Sequence, residues 1–262
     1  MRMRFWAGVG LLAIAAGLLA YRGRIVAWGT RRIEQRRLPT AVKVVSPPSM
    51  KLRGAKNENT VILSSMAVFN TAALPAEFNL AVPFTSQAPL GVWDHLHEEA
   101  CEEAVVMMAD AFYSGRELDS HVADDGITAV VDWETRVLGH WEDTTAEETA
   151  RILREFYGYA KARIVENPTI EMMKREIAQG HLILLPTAGR LLRNPYYSGA
   201  GPLYHMLLVR GWSKDGMIIT NDPGTKRGEG YLYKPDVLMN AAHDWNGGDV
   251  EHGSKIMIVV EQ

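Results

Sequence analysis

Cysteine occurs once in the 262 residues, at Cys101. No disulfide can therefore form within the chain, whichever redox compartment it occupies. Metal-ligand spacing is missing too. His95-x-His97 followed by Glu98 and Glu99 matches none of the usual zinc patterns and reads as polar residues leading into a helix. Internal repeats and low-complexity tracts are absent. There is also no basic body. Arg2, Arg4, Arg22, Arg24, Arg31, Arg32, Arg36 and Arg37 crowd the start, opposed there only by Glu34, while the net charge is −3. The remainder is acidic, so nothing points to nucleic acid as a partner. With 47% hydrophobic and 23% charged residues, the composition is that of an ordinary folded protein.

Present at the start is an uncharged apolar run, Phe5 to Tyr21, seventeen residues long. That is short for a transmembrane helix and long for a signal-peptide core, and no good cleavage site follows. It reads as an uncleaved signal anchor over residues 1–21, with a cleaved signal and a secreted product second. More arginines follow the run than precede it, which favours a cytoplasmic body. Arg2 and Arg4 just before it form an export signal, and we expect the soluble part outside. Residues 22–76 read as a basic tether broken by Pro39, Pro47, Pro48 and Pro75, and the folded domain as 77–262.

Within that domain helices come first and strands second, the pattern of an α+β fold. Leu80, Val82 and Phe84 read as a short entering strand. A helix follows from Glu98, then a polar loop (ELDSHVADDG), a helix over 127–138, and a third from the capping-box pair Thr145 and Glu148 through Tyr159. Asn167-Pro168-Thr169 opens a fourth, ending at Gly180. Trp133, Trp141, Phe156 and Met172 are expected between these helices. Strands are predicted over 182–187, 205–212, 217–222, 231–234 and 255–261, and Pro235 opens a short helix toward Ala242.

Cys101 falls in the first turns of the helix that begins near Glu98, with Asp94 as its predicted N-cap. The N–H groups and dipole at a helix start favour an anion, so a thiol there is expected to ionise more easily. Against this stand Glu98, Glu99, Glu102 and Glu103, whose charges would raise it unless most of them point to solvent. A lone cysteine is equally an apolar core filler. Gln87 lies fourteen positions earlier in a Pro-bounded loop, a side-chain donor ahead of the cysteine. Among eight histidines, His205 stands at the mouth of an apolar strand, and Asp222 ends the next strand in the turn NDPGT. Each has a bland reading, a strand cap and a turn residue. Jointly Cys101, His205 and Asp222 fit the logic of nucleophile, base and orienter.

These segments resemble the papain-like cysteine peptidases, and specifically the bacteriocin-processing, double-glycine-leader type and its stand-alone bacterial relatives. The carrying motifs are VPFTSQAPLGVWD, EEACEEA, GPLYHMLLVRGW and IITNDPGT followed by KPDVLMNAA, within about Leu80 to Gln262. The resemblance implies a two-lobed fold with an N-terminal helical half and a C-terminal antiparallel sheet half. It implies Cys101 as nucleophile, His205 as general base, Asp222 as its orienting partner and Gln87 as the oxyanion-hole glutamine, with no cofactor or metal. Two features depart from the pattern: Glu99-Ala100 stands where many relatives carry a small residue, and the Gln-to-Cys spacing is long.

Two functions follow. One is a membrane-tethered cysteine peptidase acting on a peptide or protein through a thioester, with an acyltransferase or amidase as chemical variants. The other is an inactive binding module that keeps the fold, since fold does not guarantee turnover. The loop from Ala188 to Tyr204, with Arg190, Arg193, Tyr196 and Tyr197, is a candidate substrate rim and reads equally as a solvated loop, though it is long for a structureless connection. Oligomeric state is not legible.

Overall fold

A computed structural model describes residues 38–43 and 73–262. The predicted anchor and most of the predicted tether lie outside the described residues. Among the described residues, no helix is long and apolar enough to cross a membrane.

The centre is an antiparallel sheet in the order β2-β7-β3-β4-β5-β6. Its strands are β1 (Phe78–Asn79), β2 (Arg163–Glu166), β3 (Leu182–Ala188), β4 (Tyr204–Trp212), β5 (Ile218–Asn221), β6 (Tyr231–Tyr233) and β7 (Ile256–Val260). All seven residues of β3 and all nine of β4 are buried. Such continuous burial, without alternation, means that both faces of the middle strands are covered. This is why LILLPT and HMLLVRGW are apolar on successive residues. The short β1 pairs with β4 beyond the end of β3, Phe78 opposite Trp212 and Asn79 opposite Gly211. A Cβ at Gly211 would stand 2.2 Å from the Phe78 carbonyl oxygen, so only glycine allows this approach.

Helices α1 (His95–Glu99), α2 (Cys101–Ser114), α3 (Ser120–Val137), α4 (Ala146–Arg151), α5 (Ile170–Ala178) and α6 (Pro235–Ala241) surround the sheet. Ala100, at φ −87° and ψ 38°, breaks α1 from α2, so Cys101 becomes the first residue of its own helix. Asp94 caps α1, accepting the His97 N–H at 3.1 Å. The capping box of Thr145 and Glu148 forms as expected. Three expectations need correction. The polar stretch taken as a loop is the first half of α3, because Asp119 accepts the His121 and Val122 N–H groups and starts the helix early. The third helix changes to a π turn over Ile152–Phe156 rather than running on to Tyr159. Strand β2, too short and too exposed to show alternation, had no counterpart in the sequence reading. Trp133 and Phe156 do pack together, ring centroids 6.1 Å apart, but Phe156 and Met172 keep large exposed surfaces.

Candidate active site

The loop carrying Gln87 is stitched to the end of β5. Arg210, buried beside a bulge in β4 between Val209 and Gly211, donates to Asn79 Oδ1 at 3.0 Å, the Val82 carbonyl at 3.0 Å and Asn221 Oδ1 at 3.1 Å. Burial lowers its pKa to about 10. Asn221 Nδ2 donates to the Pro83 carbonyl at 3.0 Å, and the Gln87 N–H to the Pro223 carbonyl at 3.0 Å. The sheet thus sets Gln87 beside the turn that holds Asp222.

His205 is the second residue of β4, opposite Thr187 of β3. Its Nε2 lies 2.8 Å from Asp222 Oδ1, and both side chains are buried. The other carboxylate oxygen, Oδ2, accepts three hydrogen bonds: from Asn194 Nδ2 at 2.8 Å, Tyr197 Oη at 2.8 Å and Tyr233 Oη at 2.7 Å. Burial alone would raise the Asp222 carboxyl, but the charge of His205 and the hydrogen bonds from His205, Tyr233 and Tyr197 hold it below its ordinary value. An ionised carboxylate only accepts, so Nε2 carries a ring hydrogen, and in the neutral imidazole the lone pair is on Nδ1.

Cys101, 6% exposed, lines the same cavity of about 380 Å³ as His205, Gln87, Glu102, Tyr197 and Trp93. The Met206 backbone, next to His205, lies near its sulfur and favours the thiolate. Cys101 Sγ donates to Glu102 Oε2 at 2.8 Å. The expected easy ionisation is not found. Burial pushes the thiol well above its ordinary value, the charge and hydrogen bond of Glu102 push the same way, and the Met206 contact only partly opposes them.

Solvent takes only part of the glutamate cluster, fewer than the majority that an ionisable thiol required. Glu98 is exposed and Glu99 half-buried, but Glu102 and Glu103 are buried. Glu103 faces Glu134 of α3 across the helix interface. Burial, then the Glu134 charge, raises Glu103 well above the carboxylate range; burial first, with Glu102 and Glu148, raises Glu134 to about 8.

Gln87 reaches the cavity but its amide is occupied. Nε2 donates to the His97 carbonyl at 2.9 Å and the Glu98 carbonyl at 2.8 Å, which ties its loop to the end of α1. His97 itself bridges Asp94 at 2.7 Å and Asp124 of α3 at 3.1 Å. Of the candidate rim residues Tyr197 lines the cavity, while Arg190 and Arg193 are exposed, and the cavity wall carries Glu98, Glu99 and Asp143 with no lysine or arginine. Asn194 and Tyr233 complete the site and were not singled out in the sequence, while Tyr197 was read only as rim and Glu102 only as a charge beside the thiol. For Asn194 the one signal was the unusual length of the 188–204 loop.

No known protein family matches the sequence, and no curated protein matches it. Among solved structures, the chain is similar to one described as a C39-like peptidase from Bacillus anthracis, 13% identical with a TM-score of 0.46 over 70% of this chain and 96% of that one. It is also similar to a fragment of prointerpain A from Prevotella intermedia (19% identical, TM-score 0.29, 42% of this chain and 31% of that one). The active interpain A cysteine protease of the same organism is 17% identical, with a TM-score of 0.32 over 58% of this chain and 62% of that one. All three TM-scores lie below 0.5, and nothing about activity follows from them.

Proposed function

We propose that the chain is a cysteine peptidase acting on a peptide or protein substrate, with Cys101 as nucleophile, His205 as base and Asp222 as orienting partner. One observation carries this reading. Asp222 takes the Nε2 side of the imidazole at 2.8 Å and leaves Nδ1 for a cysteine that lines the same cavity. Nδ1 would take the thiol proton as Sγ bonds to the substrate carbonyl carbon. The proton then passes to the leaving amine as the C–N bond breaks, leaving a thioester. Water, deprotonated by Nδ1, opens the thioester and restores the thiol. The developing oxyanion would lie at the first turn of α2, whose N–H groups lack intrahelical acceptors. Gln87 joins as a second donor when the substrate oxygen replaces one of its carbonyl partners. The same thioester serves an acyltransferase or amidase if an amine replaces water or the substrate is another amide.

We place Phe5–Tyr21 as the membrane anchor and the catalytic domain outside. A second reading, the fold kept as a binding module, draws on the Cys101–Glu102 hydrogen bond, which holds the thiol protonated. Labelling of the full-length chain with a peptidyl electrophile separates the two. The peptidase reading expects a covalent adduct on Cys101 that is lost in Cys101→Ala and strongly slowed in His205→Ala. Labelling at an equal rate with and without His205 would favour the binding module.

A further inference from the structure

Glu102 directly follows the nucleophile, is 1% exposed, and shares the cavity wall with Cys101 and His205. Its Oε2 accepts the thiol at 2.8 Å, while Oε1 is buried without a hydrogen-bond partner. No cation balances it within the cavity wall. The titratable groups that face it are Cys101 and Glu103 on its own helix, Glu134 on α3, Asp143 in the loop before α4, and Tyr204 on β4 with Asp244 behind it. His205 completes the set across the cavity.

We propose that Glu102 is a positioning residue that gates the nucleophile, holding Cys101 as a neutral thiol while ionised and releasing it when protonated. This rests on the peptidase reading of the site. An ionised carboxylate can only accept, so the sulfur must keep its hydrogen and direct it at Oε2. A thiolate at that distance from a carboxylate would be strongly repelled. One proton from water reverses the relation. Glu102 becomes an O–H donor toward sulfur, the thiol proton moves to His205 Nδ1, and a thiolate–imidazolium pair stands in the cavity. Burial and the charge of Glu103 raise Glu102 well above the carboxylate range, so the gate opens at a pH where ordinary surface carboxylates remain ionised.

The experiment is the pH profile of Cys101 alkylation by iodoacetamide in the full-length chain, which requires no turnover. In the wild type, an acid-side limb should appear in which the rate falls as pH rises and Glu102 ionises. Glu102→Gln keeps the shape and offers a permanent N–H donor. It should abolish that limb and alkylate about tenfold faster at pH 7, because the sulfur loses a carboxylate neighbour and gains a donor. Glu102→Asp, too short to reach Sγ, should also lose the acid limb, and it keeps the question open to test if the glutamine variant does not fold. A wild-type profile that rises steadily with pH, or variants that trace the wild-type profile, would overturn the gate. Peptide turnover with an unchanged Glu102→Gln profile sinks the gate and leaves the peptidase reading standing. A shifted profile in a protein that labels no peptidyl electrophile does the reverse.

Discussion

Asp222 does two things with two oxygens: one orients the imidazole, and the other gathers Asn194, Tyr197 and Tyr233. Asp222→Asn should therefore do more harm than loss of a charge. Its amide can present an N–H to Nε2 and force the hydrogen onto Nδ1, the nitrogen that must be basic. A kcat loss on the order of 10³-fold or more is expected, by analogy with tautomer errors in other nucleophile–base pairs. A variant with near wild-type kcat would remove Asp222 from the machinery. Gly224 is tested by shape alone. A Cβ there would stand 2.9 Å from His205 Cε1 and 2.9 Å from Tyr197 Cε1, so Gly224→Ala should slow Cys101 labelling at least tenfold by displacing the ring. An unchanged labelling rate would show that the imidazole tolerates the shift. Cys101, His205, Asp222 and Gln87 could be singled out in the sequence because each stands in a short stretch with its own chemical logic. The tyrosines on Asp222 were not, because 25 and 11 residues separate Tyr197 and Tyr233 from it. Which of the four glutamates are buried was not legible, because a charged residue on a helix is assigned to solvent by default.

Helix α3 shows why boundaries were less legible than elements. Its buried residues Ala123, Ile127, Val130 and Val131 have helical spacing, but the next buried position is Glu134. Period alone finds the stripe and cannot foresee a carboxyl in it. There Glu134 meets Glu103 of α2, and all four of their carboxyl oxygens are buried without a hydrogen-bond partner. A carboxyl raised by folding binds its proton more tightly in the folded state than in the unfolded one. Its stabilising contribution is complete below the unfolded value of about 4.3. That contribution is lost as pH climbs toward the folded value of about 8 for Glu134. Urea midpoints of the wild type should thus fall from pH 5 to pH 9. In Glu134→Gln, which keeps a donor for Glu103, the fall should be clearly shallower. Equal slopes would show that the α2–α3 interface tolerates both charges. The strands were read closely because their apolar runs are continuous, whereas β2 has only four residues and no fully buried one.

At the scale of the whole molecule, described residues ahead of the domain start expected at Glu77 pack with the domain. Composition made residues 22–76 look like a tether, yet part of that stretch is bound into the sheet. Val42 forms a parallel bridge with Leu80, its N–H reaching the Asn79 carbonyl at 2.8 Å while its own carbonyl accepts from Ala81 at 2.9 Å. Asn79 Nδ2 donates to the Pro39 carbonyl at 3.0 Å, and Trp212 Nε1 to the Pro75 carbonyl at 3.1 Å. No hydrophobic period announces such a strap, because backbone groups make it. It secures β1 and Leu80, the start of the segment that delivers Gln87 to the cavity. We therefore expect two truncations to behave differently. A chain beginning at Leu38 should match the stability of the full-length protein and no longer sediment with membranes, since the proposed anchor is gone. A chain beginning at Glu77 loses these four hydrogen bonds, each of about 0.5–1.5 kcal/mol net. It should unfold with roughly 2–6 kcal/mol less free energy and label more slowly at Cys101 as the Gln87 loop loosens. Urea unfolding and labelling rates of the two chains decide the matter. Equal stability would reduce the strap to a surface contact, and sedimentation of the Leu38 chain with membranes would place the membrane attachment elsewhere in the protein.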